Sequence, residues 1–120
     1  MGEKLAGDDL DIYSGNDDQV IPILSLGGIG VISVLSNVMP AAVHDMVVEY
    51  LNGNIKSALD IQLKYLDLIE ALFCEVNPIP VKAAMKLLGY DVGGLRLPLT
   101  ELEDANRARL KESMENLKEN

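Results

Sequence analysis

The order strand, short helix, strand within residues 8–35 most limits what this chain can fold into. Asp8 to Gly15 contains Leu10, Ile12 and Tyr13 between Gly7 and Gly15, which reads as a short strand ending in a turn. Asp17 and Asp18 then stand where a helix N-terminus favours negative charge. Gln19 to Leu26 follows as a short helix, with Pro22 in its first turns and Gly27 and Gly28 as its stop signal. Val31 to Leu35 is apolar and β-branched, as expected of a strand covered on both faces. Such a unit implies a parallel pair with a right-handed crossover.

After Asn37 the character changes to helices. Pro40 opens one that runs to about Leu51, and Asn52-Gly53-Asn54 breaks it. The next, Ile55 to Phe73, places Ile55, Leu59, Gln62, Leu66, Ile69 and Phe73 on one predicted inner face. Asn77 is an expected N-cap with Pro78 in the first helical position; Val81, Ala84, Met85 and Leu88 form the buried stripe, and Gly89 ends the helix. Leu95 to Leu99 reads as extended. Thr100 with Glu103 predicts a capping box for a last helix, with Leu102, Ala105, Leu110, Met114 and Leu117 on one side and a fraying tail from Lys111 to Asn120. Two parallel strands do not form a stable open sheet alone. The pattern therefore predicts the last part of a (β/α)8 barrel over 1–53, followed by a helical domain over 54–120, with the remaining strands elsewhere.

Composition narrows the partners. The 120 residues are 48% hydrophobic and 24% charged, ordinary values for a folded chain. A net charge of −9 argues against a nucleic-acid backbone or an anionic membrane surface as partner. The apolar runs are short and broken, so no membrane span is expected, and Met1 to Leu10 lacks the apolar core of a signal peptide. Cys74 is the only cysteine and suits a reducing cytoplasm. It reads as a small core residue rather than a nucleophile, and no third group orients a dyad with His44, the only histidine.

Catalytic groups in a barrel sit at the C-terminal ends of its strands. Here those ends are Tyr13 to Asp17 and Leu35 to Asn37. Gly15 permits close approach of a ligand to backbone, though any strand-to-helix turn has similar needs. Gly27-Gly28-Ile29-Gly30 precedes a strand instead of opening a helix, so it is not a dinucleotide loop. Asp17 and Asp18 point apart as neighbours in a first turn and read as helix caps, not as an acid–base pair or metal site. A Schiff-base lysine must project from a strand into a desolvated pocket. Lys4, Lys56, Lys64, Lys82, Lys86, Lys111 and Lys118 all fall on predicted helices or termini. No catalytic residue, metal or cofactor is assigned.

Four runs in order carry a resemblance: DLDIYSGNDD at 9–18, LGGIGVISVLSN at 26–37, NPIPVK at 77–82 and LRLPLT at 95–100. Together they resemble strands seven and eight and the C-terminal helical domain of the dihydrodipicolinate synthases, within the pyruvate-dependent class I aldolases. That resemblance implies a (β/α)8 homotetramer of lysine biosynthesis via diaminopimelate. It condenses pyruvate, held as a Schiff base, with aspartate semialdehyde to 4-hydroxy-tetrahydrodipicolinate. It implies that Ile32 lies beside bound pyruvate, that Gly15 lines the site with its backbone, and that Leu26 lies at a tetramer contact. Many relatives carry Asp where Asn16 stands; if that group tunes the aldehyde-binding end, its charge is missing here, and the role of Asn16 stays open. The family's Schiff-base lysine lies on strand six, and its catalytic tyrosine does not match Tyr13, Tyr50, Tyr65 or Tyr90. Met1 falls where an internal methionine of the longer enzyme is expected, and the isolated chain is expected to be inactive.

Two other readings stay open at this stage. One keeps the scaffold with another substrate, as in sialic acid or keto-deoxy-sugar lyases; NPIPVK argues against it. The other is a non-catalytic helical interaction module, which a concentration-independent monomeric melt favours. A barrel fragment instead exposes apolar surface and associates or behaves as a molten state.

Overall fold

The computed structural model describes residues 7–119. Lys4, Met1 and Asn120 lie outside the described residues. The chain divides into two compact units, 1–64 and 65–120.

The first unit begins with a 3-10 turn, Gly7–Asp9. Strand β1 is Tyr13–Ser14, and β2 is Gly30–Val31. They pair in parallel, Tyr13 with Gly30 and Ser14 with Val31. Flanking bonds extend the ladder: the Ile29 N–H donates to the Ile12 carbonyl and the Ile32 N–H to the Ser14 carbonyl, both at 2.9 Å. The strands are shorter than expected. At Asp8 and Asp9 a turn replaces strand, and beyond Ile32 the chain curls into another 3-10 turn, Leu35–Asn37. Between the strands come a 3-10 turn at Asp17–Gln19 and helix α1, Val20–Ser25. Val20, Leu24 and Met46 form the buried cluster, with Ile21, Val31, Val47, Tyr50 and Ile61 packed around it.

Helix α2 is Pro40–Leu51, and α3 is Ile55–Leu72. The buried side of α3 shares Gln62 and Ile69 with the expected face but is turned away from the rest of it. Ala58, Gln62, Leu68, Ile69, Ala71 and Leu72 are buried, whereas Ile55, Leu59 and Phe73 are exposed. Both sides of this helix carry apolar residues, so periodicity alone does not choose between them. Neighbouring elements do, and the buried hydrogen bonds of Gln62 turn its side inward.

Helix α4 is Ile79–Leu87 and α5 is Asp104–Glu119; the two pack together in the second unit. α4 starts one residue later than expected. Pro78 is its cap residue and Pro80 lies in its first turn, so Asn77 stands outside. Its buried side is Ile79, Pro80, Val81 and Ala84, while Met85 and Leu88 are only partly covered. Residues 91–96 are irregular, with a turn at Leu97 and Pro98.

Thr100 is not the cap of α5, which begins four residues further on. Leu102 is buried, and placing it in the core keeps residues 101–103 out of the helix. Glu75 serves the helix start instead, accepting the Glu103 N–H at 3.0 Å and the Asn106 side-chain amide at 2.8 Å. Ala105 is exposed, and the helix continues through the tail expected to fray.

Three helices end in one motif. Gly27, Gly53 and Gly89 have φ of 100, 91 and 96°, a region where a Cβ is costly. After each, the next N–H reaches five residues back. Gly28 bonds Ile23, Asn54 bonds Glu49 and Tyr90 bonds Met85, at 2.9, 2.8 and 3.0 Å. This satisfies carbonyls that the helix end leaves open.

Candidate functional site

The C-terminal edge of the parallel pair brings the two expected ligand-contacting residues together. The Ile32 N–H to Ser14 carbonyl bond sets Ile32 beside the residue that precedes Gly15. The Ile32 side chain is 73% exposed, and Gly15 is exposed too. A Cβ built on Gly15 meets no atom within 4 Å. Among the described residues the edge is therefore an open backbone face with an apolar side chain standing over it. It can seat a small ligand against backbone and give that ligand an apolar wall.

Below this edge the site is polar and closed. Ser14 is buried; its hydroxyl donates to the Asn16 carbonyl at 2.7 Å and accepts the Asn16 N–H at 3.2 Å. Gly30 leaves room for the Tyr13 ring, which lies 3.0 Å from where a Cβ would stand.

Asp17 does not cap its own helix. Its buried carboxylate accepts the Val34 and Leu35 N–H groups, each at 2.9 Å, and the Ser33 hydroxyl. A carboxylate accepting several donors is a strong anchor. Asp18 is exposed, so the two acids point apart as expected. Gln62 in turn donates to the Asp17 carbonyl at 2.8 Å and accepts the Ile21 N–H at 3.3 Å. The signal for Gln62 was present in the sequence: an amide on an otherwise apolar helix face needs internal partners when buried.

Gly15→Ala tests the openness of this edge. With no clash, the substitution is expected to shift folding stability by no more than about 0.5 kcal/mol, read as the midpoint of a urea transition. Any effect on ligand binding then comes from the methyl group occupying ligand space.

Other candidates carry less. His44 is exposed and pairs with its neighbour Asp45, at 3.3 Å. Cys74 is partly buried. Burial pushes its thiol above the ordinary value and Glu75 adds to this, while Arg109 pulls the other way, so it is a poor nucleophile at neutral pH. Lys56, Lys64, Lys82, Lys86, Lys111 and Lys118 all lie on helices. Among the described residues no cluster of three His, Cys, Asp or Glu is placed to hold a metal, and no helix is long and apolar enough to cross a membrane. A recess of about 150 Å³ beside Lys86, Leu87 and Arg107 is shallow, and Arg107 already bonds the Leu102 carbonyl at 3.2 Å.

The strand–helix–strand unit and the helices that follow are shared with known proteins. The profile of the dihydrodipicolinate synthetase family matches residues 2–117, and the chain belongs to that family. A 4-hydroxy-tetrahydrodipicolinate synthase of Clostridium tetani is 60% identical over 114 residues, covering 95% of this chain and 39% of that relative. The crystal structure of dihydrodipicolinate synthase from Aquifex aeolicus superposes with a TM-score of 0.92 at 39% identity, over 97% of this chain and 40% of that one. The chloride-inhibited synthase of Acinetobacter baumannii, crystallised with pyruvate, superposes with a TM-score of 0.88 at 32% identity, over 97% and 40%. The chain thus spans about two fifths of the length of the relatives it matches.

Proposed function

We propose that this chain supplies the C-terminal part of a 4-hydroxy-tetrahydrodipicolinate synthase, a lyase of lysine biosynthesis that condenses Schiff-base-bound pyruvate with aspartate semialdehyde. The observation that carries the reading is the juxtaposition of Gly15 and Ile32 at the C-terminal edge of the parallel pair, in a chain of this family. Residues 1–53 are the last part of a (β/α)8 barrel, and residues 54–120 are its C-terminal helical domain. Gly15 leaves room for pyruvate against the backbone, and Ile32 walls the site with apolar surface that excludes water from the imine.

The Schiff-base lysine comes from outside the described residues, because every lysine among them lies on a helix. In the complete enzyme Leu26 is a tetramer contact; its exposure, with that of nearby Ile29, supports this. A single thiol suits the cytoplasm.

The test is incubation with pyruvate and borohydride, followed by mass spectrometry. The 120-residue chain is expected to gain no pyruvyl adduct. A stable adduct on any of its lysines overturns the assignment of the nucleophile to another segment. A complete polypeptide carrying these residues is expected to form the adduct and to react with aspartate semialdehyde in preference to a sugar aldehyde.

A further inference from the structure

We infer that Asp17 is a positioning residue that sets where Ile32 stands in the site. The inference rests on the reading of Gly15 and Ile32 as pyruvate contacts. Among the described residues the Ile32 side chain is exposed, so little packing within this chain holds it. Its place is decided by its backbone, and that backbone is anchored on both sides. On one side the Ile32 N–H is bonded to the Ser14 carbonyl at 2.9 Å. On the other, the next three residues all donate to the Asp17 carboxylate: the Ser33 hydroxyl to Oδ1, and the Val34 and Leu35 N–H groups to Oδ2. The Ser33 Oγ also accepts the Ser36 N–H at 2.9 Å, which closes the turn.

Asp17 is itself held. Its carbonyl accepts from Gln62 at 2.8 Å, and Gln62 also takes the Ile21 N–H. A bond from α3 thus fixes the residue two places after Gly15, and that residue fixes the segment after Ile32. One buried side chain thereby couples both walls of the open edge. Losing it frees the turn at 33–35 and lets Ile32 move while the strand pair stays formed. Small displacements of a substrate-contacting group are costly to binding and rate.

The experiment uses the complete synthase polypeptide, with kcat and KM for pyruvate measured alongside thermal midpoints. Asp17→Ala is expected to raise KM for pyruvate about tenfold with a smaller change in kcat. Asp17→Asn keeps an oxygen for the two N–H groups and is expected to recover most of that loss. Ser33→Ala removes one of the three bonds to Asp17, together with the Ser36 N–H bond to its hydroxyl, and leaves the two backbone anchors, so it keeps the question open to test if Asp17→Ala fails to fold; a KM rise of about threefold is expected. A merely structural role lowers the midpoint and the active fraction but leaves KM unchanged. KM unchanged in every Asp17 and Ser33 variant that folds overturns the inference. Ile32→Ala separates the two levels. If it leaves KM unchanged, the pyruvate contact itself is overturned; if it raises KM while the Asp17 and Ser33 variants do not, only the positioning role falls.

Discussion

Leu110→Ala is expected to weaken the second unit by about 3 kcal/mol, within the range for emptying a fully buried leucine site. Leu110 has no exposed surface. α5 is otherwise a polar helix, with only Ser113 and Met114 also buried along it and Leu102 just before it. Its remaining ties are polar. The Ser113 hydroxyl donates to Asp67 at 2.6 Å, and the exposed Arg109–Glu70 pair at 3.8 Å contributes little. With so few apolar anchors, one truncation removes a large share of what holds the helix. Amide exchange over Asp104–Glu119 should accelerate markedly, while exchange over α2 in the first unit changes little. A loss below about 1 kcal/mol means that α5 is not seated by this side chain.

Gly28→Ala is expected to cost about 2–3 kcal/mol, in contrast to the near-neutral Gly15→Ala. A Cβ on Gly28 stands 2.6 Å from the Ile23 Cγ2 and 2.8 Å from the Ile23 carbonyl oxygen. The methyl group can rotate away, but the carbonyl is held. It accepts the N–H groups of Gly28 and Leu26, at 2.9 and 3.1 Å. Relief requires opening the turn that ends α1 and leads into β2. Urea midpoints of the two alanine variants, measured side by side, decide the matter. If they coincide, the cap does not have this geometry.

The contrast between these glycines shows what was legible in the sequence. Gly27, Gly53 and Gly89 were readable as helix stops because a left-handed residue after a helix is a local demand. The bounds of α2 followed from Pro40 and from the Asn52-Gly53-Asn54 break. The parallel pair followed from the order of elements. The buried side of α3 was only partly readable: Gln62 and Ile69 lie on both the expected and the covered side, but Ile55 and Leu59 are exposed while Ala58, Leu68 and Leu72 are buried. The start of α5 differs from the expected one because Thr100 has the right chemistry for a cap, but burial of Leu102 keeps the chain before Asp104 out of the helix.

Asp17 shows the same limit within the candidate site. From its neighbours alone it is an acid at a helix start, and local electrostatics accounts for it. Its partners are Ser33, Val34 and Leu35, brought to it only when β1 and β2 pair. The β-branched run from Val31 to Leu35 predicts strand throughout, yet the carboxylate draws two of its N–H groups out of the ladder and into a turn.

The sequence by itself therefore determined the family, the order of elements and the helix stops. These depend on neighbours in the chain or on a connection rule. Only the tertiary structure decided which side of α3 is buried, how α5 begins and what the Asp17 carboxylate holds. Each of those depends on groups far apart in sequence meeting in space, where buried polar atoms must find partners and apolar side chains must find cover.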